Sequence, residues 1–443
     1  MSQISDQIVI VGGGFSGAMA AARLAERGLP STVIDAGGDF GRGVAYSTPF
    51  DGHLLNVRSN RMSALEGWPD DFVDWLARHH PDRADPEGFA PRRLFGLYVQ
   101  NRLAAVEAAH PGAITRITGR VSAIDGTTVQ LDDGRRIAGR AVLLATGNPA
   151  PRTASGSGGR VIGDPWAPGA LDGIGLTDRL IIIGTGLTMV DMAVWLKARG
   201  WRGTLLALSR RGLRPRAHAD QPESPAPLGA DLMQGPASRR LAAARRATRD
   251  GDWRPLMEGL RPRTGALWQA ADLKTRARWV RHLRPFWDVH RHRIAPAIAA
   301  DIQALVDAGR LTIVAGRVVS LDPTDQGVTL NWRPKGRAEV ETAAADWLID
   351  CTGPGHSPAR DPLTAPLIAA GRTRLDPLGL GLDLDDRGRV RSVDGTPDPA
   401  LFVLGPPARA TFWETIAVPD IRKRIEDLVD TLAQTPAEQG VSA

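Results

Sequence analysis

The sequence predicts an α/β protein with two doubly wound, Rossmann-like dinucleotide-binding domains and a helical insertion. Three observations support this fold class. A short apolar strand runs into a glycine-rich turn and a helix near residue 10, and the same order returns near residue 180. Each unit is followed by a similar series of short strands, so the chain has internal similarity over roughly 170 residues.

The composition is that of a globular protein with more than one domain. The 443 residues are 42% hydrophobic and 23% charged, which excludes a disordered regulator. The net charge is +6, and the basic residues are almost all arginine. We expect no nucleic-acid partner, because the arginines are not interleaved with exposed aromatic residues, and cofactor phosphates are the expected counterpart. No apolar run approaches a signal-peptide core or a membrane span, so we expect a cytoplasmic protein without a membrane partner.

Cys351 is the only cysteine in the sequence. A disulfide framework, a multi-cysteine metal site and the reactive cysteine pair of flavin-dependent disulfide reductases are therefore excluded. We expect Cys351 to be a buried small residue. His290 and His292 lack the spacing and acidic neighbours of a zinc helix, so no metal site is predicted. The sequence has no Gly-x-Ser-x-Gly elbow, which argues against hydrolase chemistry.

The first glycine-rich turn has the pattern of a dinucleotide-binding βαβ unit. Residues 7–11, apolar from Ile8 onward, form the strand, and a helix is predicted to run to Arg27. Gly12 permits the tight turn, Gly14 lets a pyrophosphate approach the backbone, and Gly17 lets helix and strand pack closely. The helix N-terminus then offers free N–H groups to the pyrophosphate.

The second unit repeats this order with one departure. The strand at 180–183 leads into Gly184 and Gly186, and Thr188 lies in the first turn of the predicted helix. Met189 replaces the third glycine, so the support from the pattern is weaker here.

The two units differ at the end of their second strand. Asp35 ends the first, where a carboxylate accepts hydrogen bonds from ribose hydroxyls. Ser209, Arg210 and Arg211 end the second, where a carboxylate would repel a 2′-phosphate and these groups would bind it. The second unit is therefore interpreted as an NADPH site, the alternative being that both arginines are solvated surface residues.

The strands that follow set the predicted domain boundaries. One series ends in Ala-Thr-Gly at 145–147 and the other in Cys-Thr-Gly at 351–353, the points where two-dinucleotide flavoproteins pass between domains. A last strand at 401–405 and a helix at 419–434 follow the second series. We predict a discontinuous FAD domain over residues 1–150 and 351–443. The NAD(P)H domain is predicted at 151–350, including a helical or lid segment at 213–300.

Six stretches occur in order along the chain, at 41–47, 53–63, 184–188, 209–213, 287–293 and 413–419. Together they resemble the bacterial FAD-NAD(P)-binding protein family of the YdhS type, which is related to two-dinucleotide-binding flavoprotein monooxygenases. The resemblance covers nearly the whole chain and implies bound FAD, but it leaves the reaction open.

The resemblance also implies roles for individual residues. The ADP half of FAD would be held by Gly12, Gly14, Gly17, Asp35, Val121, Thr146 and Gly147. The isoalloxazine ring would lie along Asn56 to Met62, which makes Asn56 and Arg61 catalytic candidates and Asn56 and Met62 cofactor contacts. The flavin site would be closed by Gly405, Glu414, Thr415 and Ile416. NADPH would be held by Gly184, Gly186, Thr188, Ser209, Arg210 and Arg211.

The segment between the repeats carries further candidates. Residues 215–236 are rich in Pro, Ala and Gly and are interpreted as a loop or lid, whereas 238–249 and 267–283 have helical patterns. On a helix, Asp288, Arg291 and His292 share a face. Two interpretations stay open. His290, Arg291 or His292 line the active site and bind an anionic substrate or relay a proton, or they form a structural ion-pair cluster.

The leading functional hypothesis is a single-component FAD-dependent monooxygenase that uses NADPH and O2 on a small polar substrate. N-hydroxylation of an amine or amino acid and hydroxylation of a urate-like heterocycle are not separated by the sequence. The excess of arginine favours an anionic substrate. The alternatives are an NADPH oxidase or flavin-linked reductase without oxygen insertion, and a non-catalytic redox sensor.

Overall fold

The computed structural model describes residues 6–149, 159–353 and 357–434. Its strands are β1 Ile8–Val11, β2 Ser31–Asp35, β3 Ile114–Thr118, β4 Val121–Asp125, β5 Thr128–Leu131, β6 Arg136–Ala138, β7 Ala141–Leu144, β8 Val161–Ile162, β9 Leu180–Ile183, β10 Leu205–Ser209, β11 Leu311–Thr324, β12 Gly327–Pro334, β13 Glu341–Ala345, β14 Trp347–Asp350, β15 Arg389–Arg391 and β16 Pro397–Val403.

Helices pack on both large sheets and also form the insertion. They are α1 Phe15–Glu26, α2 Gly43–Tyr46, α3 Asp71–His79, α4 Arg92–Ala109, α5 Leu187–Ala198, α6 Ala230–Met233, α7 Ala237–Ala247, α8 Arg254–Leu260, α9 Thr264–Ala270, α10 Leu273–Arg278, α11 Arg284–Arg291, α12 Pro296–Asp307, α13 Thr364–Ala369, α14 Arg409–Phe412 and α15 Val418–Gln434.

The first sheet has six strands in the order β15-β16-β7-β1-β2-β3. Strands β16, β7, β1, β2 and β3 run parallel, and β15 pairs antiparallel with β16. All four residues of β1 and all four of β7 are buried, as expected of central strands covered on both faces. Because β16 comes from the C-terminal part of the chain, this sheet is built from two separate segments.

The second sheet has seven strands in the order β13-β12-β11-β10-β9-β14-β8. Its parallel run β14-β9-β10-β11 has the same chain order as β7-β1-β2-β3 in the first sheet, so the internal repeat seen in the sequence is a repeat of topology. In the first unit a separate antiparallel sheet, β4-β5-β6, follows β3. In the second, the long β11 continues into the antiparallel ladder with β12 and β13. The predicted α/β fold class is confirmed.

The glycine at the start of each turn has the same backbone constraint in both repeats. Gly12 has φ +106°, and a Cβ there would lie 2.4 Å from the carbonyl oxygen of Ala145. Gly184 has φ +110°, and a Cβ there would lie 2.2 Å from the carbonyl oxygen of Cys351. Only glycine satisfies both the positive φ and this close approach to the next strand.

Some predicted elements differ from the structure, each for a local reason. The helix predicted over 267–283 is divided, because Asp272 accepts a hydrogen bond from the backbone N–H of Thr275 (2.7 Å) and starts a new helix, α10. A π-helical turn at 279–283 then leads into α11. Strands β3 and β4 are separated at Gly119, whose N–H donates to the carbonyl of Asp35 (3.0 Å).

The segment interpreted as a loop or lid begins as a fixed strand-like stretch. Ala217 forms a parallel bridge with Ile294, and the backbone N–H of His218 donates to the carbonyl of Ile294 (2.9 Å). The remaining residues lead into α6. Movement of this segment, like the domain boundaries, stays a prediction.

Within the described parts of the chain, no helix is both long and apolar enough to cross a membrane. The cytoplasmic location stays a prediction. Cys351 is 5% exposed and packs in the core of the second sheet, which confirms that it is a buried small residue.

One arginine connects the two repeats. Arg92, the first residue of α4, forms a bidentate ion pair with Asp191 of α5 (Nη1–Oδ2 2.9 Å, Nη2–Oδ1 3.0 Å). Its Nε donates to the carbonyl of Leu54 (3.0 Å), and its backbone N–H donates to the carbonyl of His53 (2.9 Å). The side chains of Arg92 and Asp191 are only 15% and 10% exposed. This guanidinium therefore holds α5 and the 53–57 stretch against α4.

We predict that Asp191→Asn destabilises the protein by about 3–5 kcal/mol, because it leaves the Arg92 charge buried without its partner. A matched control is Lys197→Ala on the same helix, which removes an exposed ion pair with Asp301 and is expected to cost about 0–1 kcal/mol. Urea unfolding followed by circular dichroism measures both. Equal losses in the two variants would contradict the role given to Arg92 and Asp191.

Candidate functional site

A cavity of about 830 Å³ extends along the first glycine-rich turn to the second repeat and the helical insertion. Gly12 and Asp35 line one part of it, Asn56 and Met62 line another, and Gly186 of the second unit also reaches it. Its volume is within the range of ligand and cofactor sites. Both glycine-rich units therefore contribute to one continuous space.

Asp35 is positioned by the backbone around it. Its Oδ2 accepts from the N–H of Gly13 (2.8 Å), and its Oδ1 accepts from Gly37 (2.9 Å) and Gly38 (3.0 Å). These bonds fix the carboxylate at the end of β2, where a ribose would contact it. Helix α1 begins beside it with Gly14 as N-cap, without a capping side chain and without an acidic residue in the first turn.

The middle of the cavity is built from the 53–62 stretch. Nδ1 of His53 shares a hydrogen bond with the Thr48 hydroxyl (2.7 Å). Its Nε2 lies 3.2 Å from the carbonyl oxygen of Asp191. The carbonyl of Asn56 lies 3.0 Å from Nε2 of His218. Burial lowers the pKa of His218 to about 3, and nearby arginines contribute, so the neutral ring donates this bond at physiological pH. The backbone of Asn56 is thus tied to the segment that carries His218.

The second unit has the open helix terminus that a phosphate requires. Gly186 is the N-cap of α5, which also lacks a capping side chain and an acidic first turn. The Ser209 hydroxyl accepts from the N–H of Gly212 (3.0 Å) and lies 2.8 Å from the Thr185 hydroxyl. Ser209 therefore supports the turn that carries the two arginines.

Arg210 and Arg211 differ in their surroundings. Arg210 is exposed and forms no hydrogen bond or ion pair with any residue that the structure describes. Arg211 donates to the carbonyl of Arg281 (3.2 Å), and its guanidinium lies 6.0 Å from the ring centre of Phe286. Arg210 is thus free to meet a 2′-phosphate, whereas Arg211 is partly engaged by the insertion.

The insertion brings a charged cluster to the cavity. Asp288, Arg291 and His292 all line it, as the shared helical face predicted. Arg291 pairs with Glu414 and with Asp420, each at 3.3 Å. Burial lowers the pKa of His292 to about 3, and the charges of Arg291 and Arg409 add to this effect, so His292 is neutral at physiological pH.

The predicted site residues fall into two groups. Those that line the large cavity are Gly12, Asp35, Asn56, Met62, Val121, Thr146, Gly186, Arg291, His292 and Ile416. Those that do not line it are Gly14, Gly17, Gly147, Gly184, Thr188, Ser209, Arg210, Arg211, Gly405, Glu414, Thr415, Arg61 and His290. Several of the second group adjoin lining residues, and their predicted roles stay predictions.

Two of the predicted catalytic residues, His290 and Arg61, lie outside the lining of the large cavity. His290 bonds through Nδ1 to the carbonyl of Phe286 (2.7 Å) and packs edge-on against Trp253, and it lines neither of the described cavities. Arg61 pairs with Glu258 (2.7 Å) and lines a smaller recess beside the large cavity. The arrangement supports the structural interpretation of His290.

Sequence reasoning missed several lining residues. Arg409 and Pro406 follow the last strand, and Tyr46 lies in one of the six resembling stretches without having been singled out. The position of Arg409, shortly after a strand-ending glycine, was a usable signal. Asp361 and Thr364 reach the cavity through tertiary packing and carry no local pattern.

The residues present fit FAD at the first unit. The first turn of α1 has N–H groups without a capping side chain, and Asp35 is held at the end of β2, where its carboxylate could accept a hydrogen bond from a ribose hydroxyl. Within the described residues, no cluster of His, Cys, Asp or Glu could hold a metal ion. Fold and site thus define a two-dinucleotide-binding α/β protein.

Comparisons with known proteins agree with this class of protein. Residues 9–149 match the family described as FAD-NAD(P)-binding, so this part of the chain carries an FAD-NAD(P)-binding domain, as the resemblance predicted. No curated protein matches the chain significantly.

Solved structures share the fold over nearly the whole chain. The cadaverine monooxygenase DfoA from Erwinia amylovora, bound to FAD, has a TM-score of 0.70 at 12% identity, covering 99% of this chain and 98% of that one. L-lysine 6-monooxygenase from Pseudomonas syringae has a TM-score of 0.68 at 17% identity, covering 97% of this chain and 99% of that one. The ornithine N-hydroxylase KtzI from Kutzneria sp. 744 has a TM-score of 0.66 at 15% identity, covering 97% of this chain and 99% of that one.

We predict that Gly14→Ala loses FAD without losing the fold. Its Cβ would lie 3.4 Å from Gly43 Cα, an ordinary contact, yet it would occupy the side from which the pyrophosphate approaches. FAD affinity should fall about tenfold or more, measured by fluorescence titration of the deflavinated protein. Gly186→Ala is the matched control, since nothing lies within 4 Å of its Cβ and it should affect NADPH instead. A Gly14→Ala protein with full FAD would overturn the assignment.

Replacing both Arg210 and Arg211 by Ala is expected to raise the KM for NADPH about tenfold or more and to leave the KM for NADH nearly unchanged, because only NADPH carries the 2′-phosphate. Arg202→Ala is the control, since this exposed arginine precedes β10, whereas Arg210 and Arg211 follow it. Steady-state oxidation of each coenzyme measures the effect. Equal changes for both coenzymes would show that the two arginines do not contact the 2′-phosphate.

Proposed function

We propose that the protein is an FAD- and NADPH-dependent oxidoreductase of the single-component monooxygenase type, acting on a small polar substrate. The observation that carries this proposal is the single cavity shared by both glycine-rich units, with Gly12 and Asp35 from the first and Gly186 and Leu187 from the second. A shared cavity allows a coenzyme on the second unit to meet a cofactor on the first.

The reaction would balance as follows. NADPH supplies two electrons, one oxygen atom of O2 enters the substrate, and the other leaves as water with protons from NADPH and solvent. Bound FAD supplies the electron transfer and oxygen chemistry. The chain's own residues then need only bind, orient and exclude water, which agrees with the lack of an activated nucleophile in the sequence.

The lining residues suit those tasks. Ile416 and Val418 lie on one side of the cavity, and Val57 and Met62 add further apolar surface. His292 is neutral at physiological pH and is suited to exchange a hydrogen bond with substrate without adding charge.

The structural neighbours support a hydroxylase more than a disulfide reductase. The structures described above are those of cadaverine, lysine and ornithine hydroxylating enzymes. Thioredoxin reductase from Lactococcus lactis also shares the fold, with a TM-score of 0.53 at 12% identity over 97% of this chain and 99% of that one. Disulfide exchange needs a second thiol and an accessible thiolate, and here burial raises the pKa of the lone Cys351.

We expect NADPH to bleach the visible absorbance of the bound flavin anaerobically, and labelled O2 to deliver one labelled atom to a hydroxylated product. Amines, amino acids and urate-like heterocycles form the substrate set, with mass spectrometry as the readout. Flavin reduction followed only by hydrogen peroxide, with every substrate, would favour the NADPH oxidase. Flavin that NADPH fails to reduce would favour the redox sensor.

A further inference from the structure

We propose that a recess lined by arginines at the flavin end of the large cavity binds a carboxylate of the substrate. The inference deepens the proposed function by assigning a substrate class: small acids, including amino acids, rather than simple diamines. The recess is lined by residues from three separate segments of the chain, 56–61, 218–223 and 258–293.

The recess adjoins the large cavity directly. Asn56, Val57 and Arg291 line both spaces. The recess has a volume of about 30 Å³, which is space for roughly two water-sized groups and hence for the two oxygens of a carboxylate. A short acid anchored there would extend its other end past Asn56 into the large cavity.

Its lining is rich in positive charge. Five guanidinium groups and two carboxyl groups line it: Arg58, Arg61, Arg261, Arg291, Arg293, Glu223 and Glu258. Glu258 is already shared by Arg61 and Arg293. Burial by itself would raise the pKa of Glu258, but the hydrogen bond from Arg61 and the charges of both arginines lower it to about 2, so it stays ionised.

The other carboxyl group of the lining is that of Glu223. Burial and a hydrogen bond with Asp252 raise the pKa of Glu223. Arg58 donates to the carbonyl oxygens of Glu87 and Ala219, and its Nε lies 3.8 Å from the Glu87 carboxylate. The two carboxylates that pair with Arg291, those of Glu414 and Asp420, belong to the C-terminal segment and do not line the recess.

Arg261 is the guanidinium with unused bonding capacity. Its side chain forms no hydrogen bond or ion pair with any residue in the described ranges, although Arg261 lines the recess. Burial and the charges of Arg291 and Arg61 together lower its pKa to about 10, with Asp420 and Glu258 acting in the opposite direction. A group with this pKa is still charged at neutral pH. Arg291 and Arg293, each 7% exposed, also have an Nε without a hydrogen-bond partner among the described residues. An anion would satisfy such donors.

This charge distribution is unfavourable for a diamine. Cadaverine carries two ammonium groups at neutral pH, because alkylamines have pKa values near 10.4. Placing an ammonium among five arginines costs electrostatic energy, whereas a carboxylate gains it. By its charge, this recess does not suit cadaverine, the amine named for one of the structures that share the fold.

The test uses the FAD-loaded protein and three five-carbon probes: glutarate, 5-aminopentanoate and cadaverine, which carry two, one and no carboxylates. Binding is followed by calorimetry and by the difference spectrum of the flavin. We expect the two acids to bind and cadaverine not to bind. Arg261→Met should weaken binding of the acids about tenfold. Arg263→Met, two residues along in the same turn but exposed, should change it less than about twofold.

Three outcomes would overturn the proposal: tighter binding of cadaverine than of both acids, no binding of either acid, or equal weakening in the two variants. Competition by NADP⁺ for the same site would also overturn it, because the arginines would then serve the coenzyme. The thermal midpoint of each variant separates lost binding from lost structure. None of these results depends on oxygen insertion, so the proposed function is tested separately by the labelled-oxygen experiment.

Discussion

The geometry of the site depends on one guanidinium. Arg92 bonds to α5 through Asp191, to the carbonyl of Leu54 and, through its backbone, to His53. The cost of burying this charge is met only while all of these partners are in place. The same residue therefore sets the position of the second repeat relative to α4 and fixes the stretch that brings Asn56 to the cavity. Local packing in each sheet could not achieve this alone.

The first glycine-rich unit was predictable because its requirements are local. A buried strand, a glycine at positive φ and a helix start lie within a few residues, and each has a residue-level signature. The second unit shows how far the pattern can vary. A Cβ at Gly17 would lie 1.9 Å from the carbonyl oxygen of Gly12, yet the corresponding Met189 is accommodated in the core of the second sheet.

The interactions that complete the site were not predictable, because their members are far apart in sequence. Arg92 and Asp191 are 99 positions apart, and neither lies in a motif that implies the other. Arg61 belongs to the first unit, whereas Glu258 and Arg293 belong to the insertion, so Arg61 meets them only after the insertion packs on the cavity. The face shared by Asp288, Arg291 and His292 was predicted from helical spacing, whereas His290, on another face, packs on Trp253.

The division of the first sheet has a consequence for biosynthesis. Strands β8 to β14 occupy an uninterrupted part of the chain, from Val161 to Asp350. The first sheet instead needs β16, at Pro397–Val403, to pair with β7. During synthesis β1, β2, β3 and β7 of the first sheet emerge before the second sheet, yet the second sheet is the first of the two to have all of its strands outside the ribosome. The edge of β7 stays unpaired until β16 has been synthesised, more than half of the chain later. Of the strands in the nascent protein, β7 is therefore the most exposed to incorrect pairing.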